Sequence, residues 1–499
     1  MTGPDESGLL GAVLVLLPEV VLVVGAVGCL VLGSWTPRRR LRRLSWTATA
    51  VVVVSATATL VQLLAADDVR GPAVMGTVEI DALSGGARLA VAGSLIVLLA
   101  MARREAPTDP RAAEVAVLLL LGGAGAQLLA LATDLSVLLL AFLLASIPLY
   151  GLLALTPPSE GTGQSDRAGR TAEATVKTYL LGALAGVLMM LGVVITAGVA
   201  GGTTYGVVAG ADDVPPAALA LGLVLVLTGL LFKAGAPPLH PWLPDAVTGC
   251  STTAGAFATT VPKLGAVVAV GRLGESFAGT GALPVPAIVG VVAVTAMAWG
   301  NLAALTQRDV RRLLAWSTIG QTGFLLAGAA ALSTNAPGSA GTSVTAALAA
   351  DALAVYLPAY AAANLTCFAG LLACPPRGSL EDWQGAGRTR PGVVAALGIG
   401  LLALVGTPPA GVLVGKSLVL AATWDPLPWV AVGLVVTSVV SLAYSLRWFG
   451  ACLAPGPDGG SPSHASDETA GTPRMLLLTT AAAAVVVGLG AGPILALTG

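Results

Sequence analysis

Fourteen apolar runs, each long enough to cross a bilayer, decide most of what this chain can become. Their approximate limits are 8–33, 46–66, 84–102, 113–132, 134–156, 172–199, 216–236, 249–273, 284–305, 311–333, 345–374, 391–421, 428–451 and 474–498. Crossing roughly 30 Å of hydrocarbon takes about 20 helical residues, and no water is present there to satisfy a free backbone amide. Runs of this length are therefore helices, and the predicted fold is an all-α polytopic membrane protein. Length alone, 499 residues, would suggest about three soluble domains at about 150 residues each. Composition excludes that: 56% of residues are hydrophobic and 10% charged.

Arginine placement orients the spans. Alternate loops hold Arg38, Arg39, Arg40, Arg42 and Arg43, then Arg103, Arg104 and Arg111, then Arg167 and Arg170, then Arg308, Arg311 and Arg312, then Arg377, Arg388 and Arg390. The opposite loops hold little beyond Arg70 and Arg272, and one carries Asp212 and Asp213. The positive-inside rule makes the arginine loops cytoplasmic and puts both termini outside. The first run follows an acidic MTGPDESG and is too long for a cleaved signal, so it is expected to stay as a span. Two hydrophilic connectors, 157–169 and 455–473, read as flexible cytoplasmic loops.

Against this background the four lysines stand out. Lys177, Lys233, Lys263 and Lys416 all lie in long apolar stretches, and every other cationic side chain is an arginine. A lysine can be driven toward neutrality by desolvation, whereas a guanidinium stays charged. Intramembrane charges are costly and usually face a cavity or partner. Proline accompanies three of them. Pro237 and Pro238 follow Lys233 by four and five residues, Pro262 precedes Lys263, and Pro408 and Pro409 precede Lys416 by eight and seven. Proline removes a backbone donor and breaks or kinks the helix, so spans seven and twelve are predicted to be interrupted, the usual pointer to an ion path at mid-membrane depth. Lys177, about five residues into its span, is the one best placed to reach the interface. His240, in PPLHPWLPD, is the histidine near a span and is a candidate proton relay. A loop hydrogen bond is its alternative role. Asp245 is expected in a cytoplasmic loop. Among acids, Glu19 is embedded in span one, while Glu114, Glu173 and Asp351 sit near span starts, where a carboxylate also suits the helix dipole.

Other chemistry is poorly supported. Net charge is −1, which does not favour nucleic acid, and no phosphate-binding glycine loop appears between a strand-like run and a helix, which argues against an ATP-driven pump. Cys29, Cys250, Cys367, Cys374 and Cys452 are scattered without a CxxC pair and read as small hydrophobes.

These motifs resemble a known family. FKAGAPPLHPWLPDAVTGCSTTAGAFATTVPK is similar to the signature of the antiporter-like proton-translocating subunits of respiratory complex I (NADH:quinone oxidoreductase), shared with multi-subunit cation/proton antiporters and membrane-bound hydrogenases. TQRDVRRLLAWSTIGQTGFLLAG resembles the family segment joining spans nine and ten, and GTPPAGVLVGKSLVL its broken twelfth span; ASIPLYGLLAL and EATVKTYLLGALAGVLMMLG favour the N subunits. The match runs from about residue 110 to 450.

The resemblance implies two inverted five-helix repeats, with helices 7 and 12 broken. It divides the chain into an N-terminal three-helix segment (1–110), a first half-channel (111–275), a second half-channel (280–452) and a C-terminal helix (474–499). It makes Lys233 the central lysine of the proton path, Lys263 its neighbour, Lys416 the site in the second half and Lys177 the additional lysine of span six. It implies no cofactor in this chain, with NAD and quinone used by the parent complex. Its partners are other membrane-arm subunits and the lipid of a bacterial cell membrane. One position departs. The family's span-five glutamate, partner of the span-seven lysine, falls on Leu143, counting back from Pro148; Asp134 and Glu173 are the nearest substitutes in sequence. A cation/proton antiporter subunit, a hydrogenase subunit and a structural spacer remain the alternatives.

Overall fold

The computed structural model describes residues 9–36, 41–64, 71–106, 109–155, 164–211, 214–334, 344–374, 378–456, 471–490 and 492. The helices in chain order are α1 (Leu9–Val15), α2 (Leu17–Trp35), α3 (Leu41–Leu64), α4 (Ala82–Glu105), α5 (Ala112–Leu131), α6 (Leu135–Ala154), α7 (Gln164–Ala200), α8 (Tyr205–Ala209), α9 (Pro216–Ala234) and α10 (Trp242–Gly249). They continue as α11 (Thr252–Phe277), α12 (Val285–Thr306), α13 (Val310–Leu332), α14 (Val344–Ala373), α15 (Ala386–Thr389), α16 (Pro391–Val405), α17 (Gly411–Trp424), α18 (Pro428–Leu453) and α19 (Gly471–Leu489). The connectors expected to be flexible lie largely outside the described residues.

Among the described residues, twelve helices are each long and apolar enough to cross a membrane. The other two expected spans differ. Span 391–421 is split into α16 and α17, of 15 and 14 residues, and span 474–498 is described only to Leu489 as a regular helix. Both anticipated breaks exist. α9 ends on Gly235, whose φ of 74° lets the chain leave the helix, and restarts at α10; α16 ends on Gly406 at φ 95° and restarts at α17. Glycine tolerates that left-handed backbone, where a side chain would be strained.

Two helices form the centre. α11 and α13 are buried on every side, while α2, α3, α7 and α18 expose large aliphatics such as Val24, Val54, Val194 and Val439 to the exterior. With hydrocarbon outside and packed helices inside, no helix needs a polar face. The N-terminus of α11 is fixed by Glu105, which accepts from the Thr252 and Thr253 amides at 2.5 and 2.8 Å and so satisfies donors the helix leaves free.

A two-stranded antiparallel hairpin adds a small exception to the all-helical expectation: β1 (Gly71–Ala73) pairs with β2 (Val78–Ile80), Gly71 opposite Ile80. It is tied to the core by Arg272, expected in an exterior loop but buried on α11, which bonds Glu79 at 2.7 Å and Asp81 at 2.6 Å. Asp81 also caps α4 through the Ser84 amide.

Candidate functional site

Lys233 lies in the last turn of α9, at the first break, and is 1% exposed. Its Nζ donates to Ser146 Oγ at 2.5 Å and sits 4.7 Å from the Phe142 ring centroid, both on α6. Ser146 passes its own hydrogen to the Phe142 carbonyl at 2.6 Å. The carbonyl of Ala234, next in sequence to Lys233, is within 3.1 Å of the Thr322 hydroxyl on α13. That hydroxyl accepts from Lys263 Nζ at 3.0 Å. The first break therefore ties Lys263, through one hydroxyl, to the freed carbonyl next along the chain from Lys233, whose own amine turns to Ser146.

Lys263, also 1% exposed, stands beside Pro262 in the middle of α11, 5.6 Å from the Tyr360 ring. Pro262 cannot donate a helix bond, so the backbone around it has acceptors to spare. Tyr360 donates to the Thr259 carbonyl at 2.6 Å, and Asn364 donates to the Thr259 and Thr260 hydroxyls at 3.0 and 2.8 Å.

Lys416, 5% exposed, uses the second break in another way. It follows the break, on α17, and reaches back to the free C-terminal carbonyls of α16: Val405 at 3.0 Å and Leu404 at 3.5 Å. A helix C-terminus favours a cation, and the Phe324 ring lies 3.9 Å from Nζ. Gln321 on α13 donates to the same Leu404 carbonyl at 2.7 Å and accepts from Tyr356 at 2.6 Å.

α13 thus carries a row of buried polar groups between the two breaks. Thr322 serves Lys263 and the first break, Gln321 the second break, and Phe324 the Lys416 ammonium. Thr318 lies 3.4 Å from Tyr360, and Ser317 lies 3.0 Å from Tyr444, which bonds Asn301 at 3.1 Å. Residues at i, i+3 and i+4 share a helix face, so Ser317, Gln321 and Phe324 fall near one side and Thr318 and Thr322 on an adjacent one. None of the three lysines has a carboxylate within ion-pair distance among the described residues. A buried charge without a counter-ion is held only by hydroxyls, carbonyls and ring faces here.

Lys177 is not part of this group. Its side chain is 47% exposed and pairs with Glu173 at 2.6 Å and Asp245 at 3.2 Å. α7 has 37 residues, about 55 Å, far beyond the hydrocarbon thickness. The residues after Lys177 suffice to cross, so this lysine sits at the edge of the span. Asp245, expected in a loop, is on α10 and also binds Arg312 at 3.0 Å. His240 is 2% exposed in the first break, its ring edge-on to Trp299 and Trp316 at 4.9 and 5.7 Å; neither ring nitrogen makes a hydrogen bond among the described residues. The backbone of Pro238, in the same break, is the loop group that faces the ring, in keeping with the loop-carbonyl role considered for it.

Neither substitute acid reaches Lys233. Asp134 caps α6 by accepting from the Ser136 and Val137 amides and the Thr203 hydroxyl, and Glu173 is taken by Lys177. Leu143 is 43% exposed on the outside of α6, one helical turn from Ser146. A further buried cation has no part in the expectations drawn from sequence: Arg88 on α4 grips Glu19 through two bonds of 2.8 and 3.0 Å and donates to Gln62 at 2.9 Å. Its place inside an apolar run was the available signal.

Residues 132–441 match the model of a family described as NADH:quinone oxidoreductase/Mrp antiporter, TM. The chain is 39% identical over 487 residues to NADH-quinone oxidoreductase subunit N of Mycobacterium sp. (strain JLS), covering 96% of this chain and 97% of that one. Respiratory complex I from Thermus thermophilus contains a chain that superposes with a TM-score of 0.77 at 27% identity, covering 96% of this chain and 98% of that one. A chain of the Mrp complex from Dietzia sp. DQ12-45-1b shares the fold, with a TM-score of 0.77 at 19% identity over 97% of this chain and 96% of that one. With a family model spanning more than half its length and a relative matched end to end, this chain belongs to the NADH:quinone oxidoreductase/Mrp antiporter family, among the N subunits.

Proposed function

We propose that the chain is a proton-conducting subunit in the membrane arm of an NADH:quinone oxidoreductase. Protons pass along Lys233, Lys263 and Lys416 with the hydroxyls and carbonyls between them, driven by redox chemistry in other subunits. The observation that carries the reading is the pair of helix breaks joined by the polar row of α13, each break touching a buried lysine. An amine in such a site takes up or releases a proton as neighbouring charge changes, which an arginine would not do. His240, buried in the first break, is a relay at its entrance. NAD and quinone are assigned to the other subunits.

The same reading treats 111–275 and 280–452 as inverted half-channels, with arginine-bearing loops cytoplasmic and both termini outside. Lys177 is left at the rim. The test is Lys233→Ala in the assembled complex, reconstituted in vesicles: NADH oxidation is expected to persist while proton uptake per NADH falls. Normal uptake by a fully assembled variant refutes the lysine path.

A structural-spacer reading has one observation in its favour, the leucine at position 143 with no acid beside Lys233. Under the spacer reading, wild type translocates nothing through this chain, and Leu143→Glu is needed to start flux. Flux through wild type that Lys233→Ala removes rejects it.

A further inference from the structure

Among the described residues, Lys233 Nζ has one hydrogen-bond partner, Ser146 Oγ, and one ring face, Phe142. His240 is held elsewhere in the break, against Trp299 and Trp316. A proton that reaches this amine through a direct hydrogen bond therefore crosses Ser146. Behind Ser146, one turn along α6, stands Tyr150, whose hydroxyl faces the serine hydroxyl. Residues four apart share a helix face, so the SIPLY stretch presents both hydroxyls on one side. α6 ends at Ala154 and α7 begins at Gln164, so Tyr150 lies from Ser146 toward the rim that carries Lys177.

α7 is shaped around that phenol. A Cβ at Gly182 would overlap the Tyr150 hydroxyl and stand 2.9 Å from the Phe232 ring, so glycine is what leaves the phenol room. One turn on, a Cβ at Gly186 would press on the Phe142 ring at 3.2 Å. Gly182 is five residues past Lys177, about 7.5 Å along the axis, which sets the phenol oxygen just inside the rim. The Tyr179 ring meets the Tyr150 ring edge-on at 5.6 Å. Burial deepens along the series: Tyr179 is 52% exposed, Tyr150 half-buried and Ser146 2% exposed.

A hydroxyl both donates and accepts a hydrogen bond, so it hands on a proton without holding a lasting charge. When Lys233 is neutral, its lone pair takes the Ser146 hydrogen, Ser146 takes the Tyr150 hydrogen, and Tyr150 is refilled from protonated water at the rim. Each oxygen loses one O–H bond and regains one, the amine gains an N–H bond, and the net change is one proton moved from water to Lys233. Such a relay works with leucine at position 143, because it needs no carboxylate beside the lysine.

We propose that Tyr150 and Ser146 form the proton relay between Lys233 and the Lys177 rim, with Gly182 keeping the space in which the phenol hydroxyl sits. The relay rests on Lys233 being a proton carrier.

The test compares Tyr150→Phe with Lys233→Ala in the assembled complex in vesicles, recording proton uptake against NADH oxidation. Phenylalanine keeps the ring and its contact with Tyr179 and removes one oxygen. Uptake is expected to fall about ten-fold, the effect of roughly 1.4 kcal/mol on a barrier. Ser146→Ala should lower it as much, and Ser146→Thr, which keeps the hydroxyl, should recover most of it. In the Lys233→Ala background, Tyr150→Phe should cost nothing further, because the relay serves that amine alone; a tyrosine with a purely structural role would add its own loss. Wild-type uptake by Tyr150→Phe alongside lost uptake in Lys233→Ala overturns the relay and leaves Lys233 as the carrier, its protons arriving by His240 or by water. Additive losses in the double variant overturn the relay as well. Normal uptake by Lys233→Ala overturns the relay and the carrier role together.

Discussion

Replacing Thr322 by valine isolates the hydroxyl that joins the first break to Lys263. The two side chains have nearly the same shape, so packing around the buried α13 changes little, and what disappears is one oxygen. That oxygen accepts from Lys263 Nζ at 3.0 Å and sits 3.1 Å from the Ala234 carbonyl. A hydrogen bond to a charged group contributes about 1.5–3 kcal/mol, and a tenfold rate change corresponds to about 1.4 kcal/mol. If protons pass through this pair, the barrier to charging Lys263 rises by that amount, and proton uptake slows by about ten-fold to a hundred-fold. The assay is dye-monitored acidification of vesicles holding the assembled complex, with NADH oxidation recorded alongside, with and without an uncoupler. Uncoupled oxidation should approach wild type, while coupled pumping falls. Thr322→Ser restores the oxygen and should recover most of the flux. Wild-type pumping by an assembled Thr322→Val complex would refute the argument that the hydroxyl carries protons, because a packing role alone survives the swap.

Three further outcomes follow from the same geometry. Lys177→Ala should leave assembly and flux unchanged, since that amine is half-exposed and paired at the rim; loss of pumping in an assembled variant would return it to the path. Arg88→Leu should destabilise the chain by about 3–5 kcal/mol, because it leaves the Glu19 carboxylate buried and unpaired; a thermal melt of the complex or the yield of assembled enzyme measures it. Gln321→Leu removes the donor that shares the Leu404 carbonyl with Lys416, and should reduce coupled flux by about ten-fold at about 1–1.5 kcal/mol, read in the same vesicle assay.

Much of this protein was legible in one dimension because a bilayer leaves few options. Long apolar runs had to become helices; the proline pairs at 237–238 and 408–409 mark two breaks, with glycines at 235 and 406 where the chain turns out of the helix, whereas Pro262 is carried inside an unbroken α11. The motifs around Lys233 and Lys416 located the breaks and named the family. What stayed hidden is which way each side chain faces. In a helix with apolar residues all round, no stripe separates the inner face from the outer, so distance from the span's end pointed Lys177 toward the rim, but nothing along the chain showed which neighbours Lys233 would face in the core.

The polar row of α13 was hidden for the same reason. Thr318, Gln321 and Thr322 are ordinary residues along the chain, and they acquire a role only because packing sets them between two helix breaks drawn from positions some 170 residues apart. Leu143 shows the converse: its position relative to Pro148 exposed a missing acid, but only the folded chain showed that Asp134 and Glu173 were already committed to a helix cap and an ion pair. Sequence decided which segments enter the membrane and where they break, since those follow from local backbone chemistry. Tertiary packing decided which charges meet, since hydrogen bonds form across helices and depend on the angle at which each helix is turned.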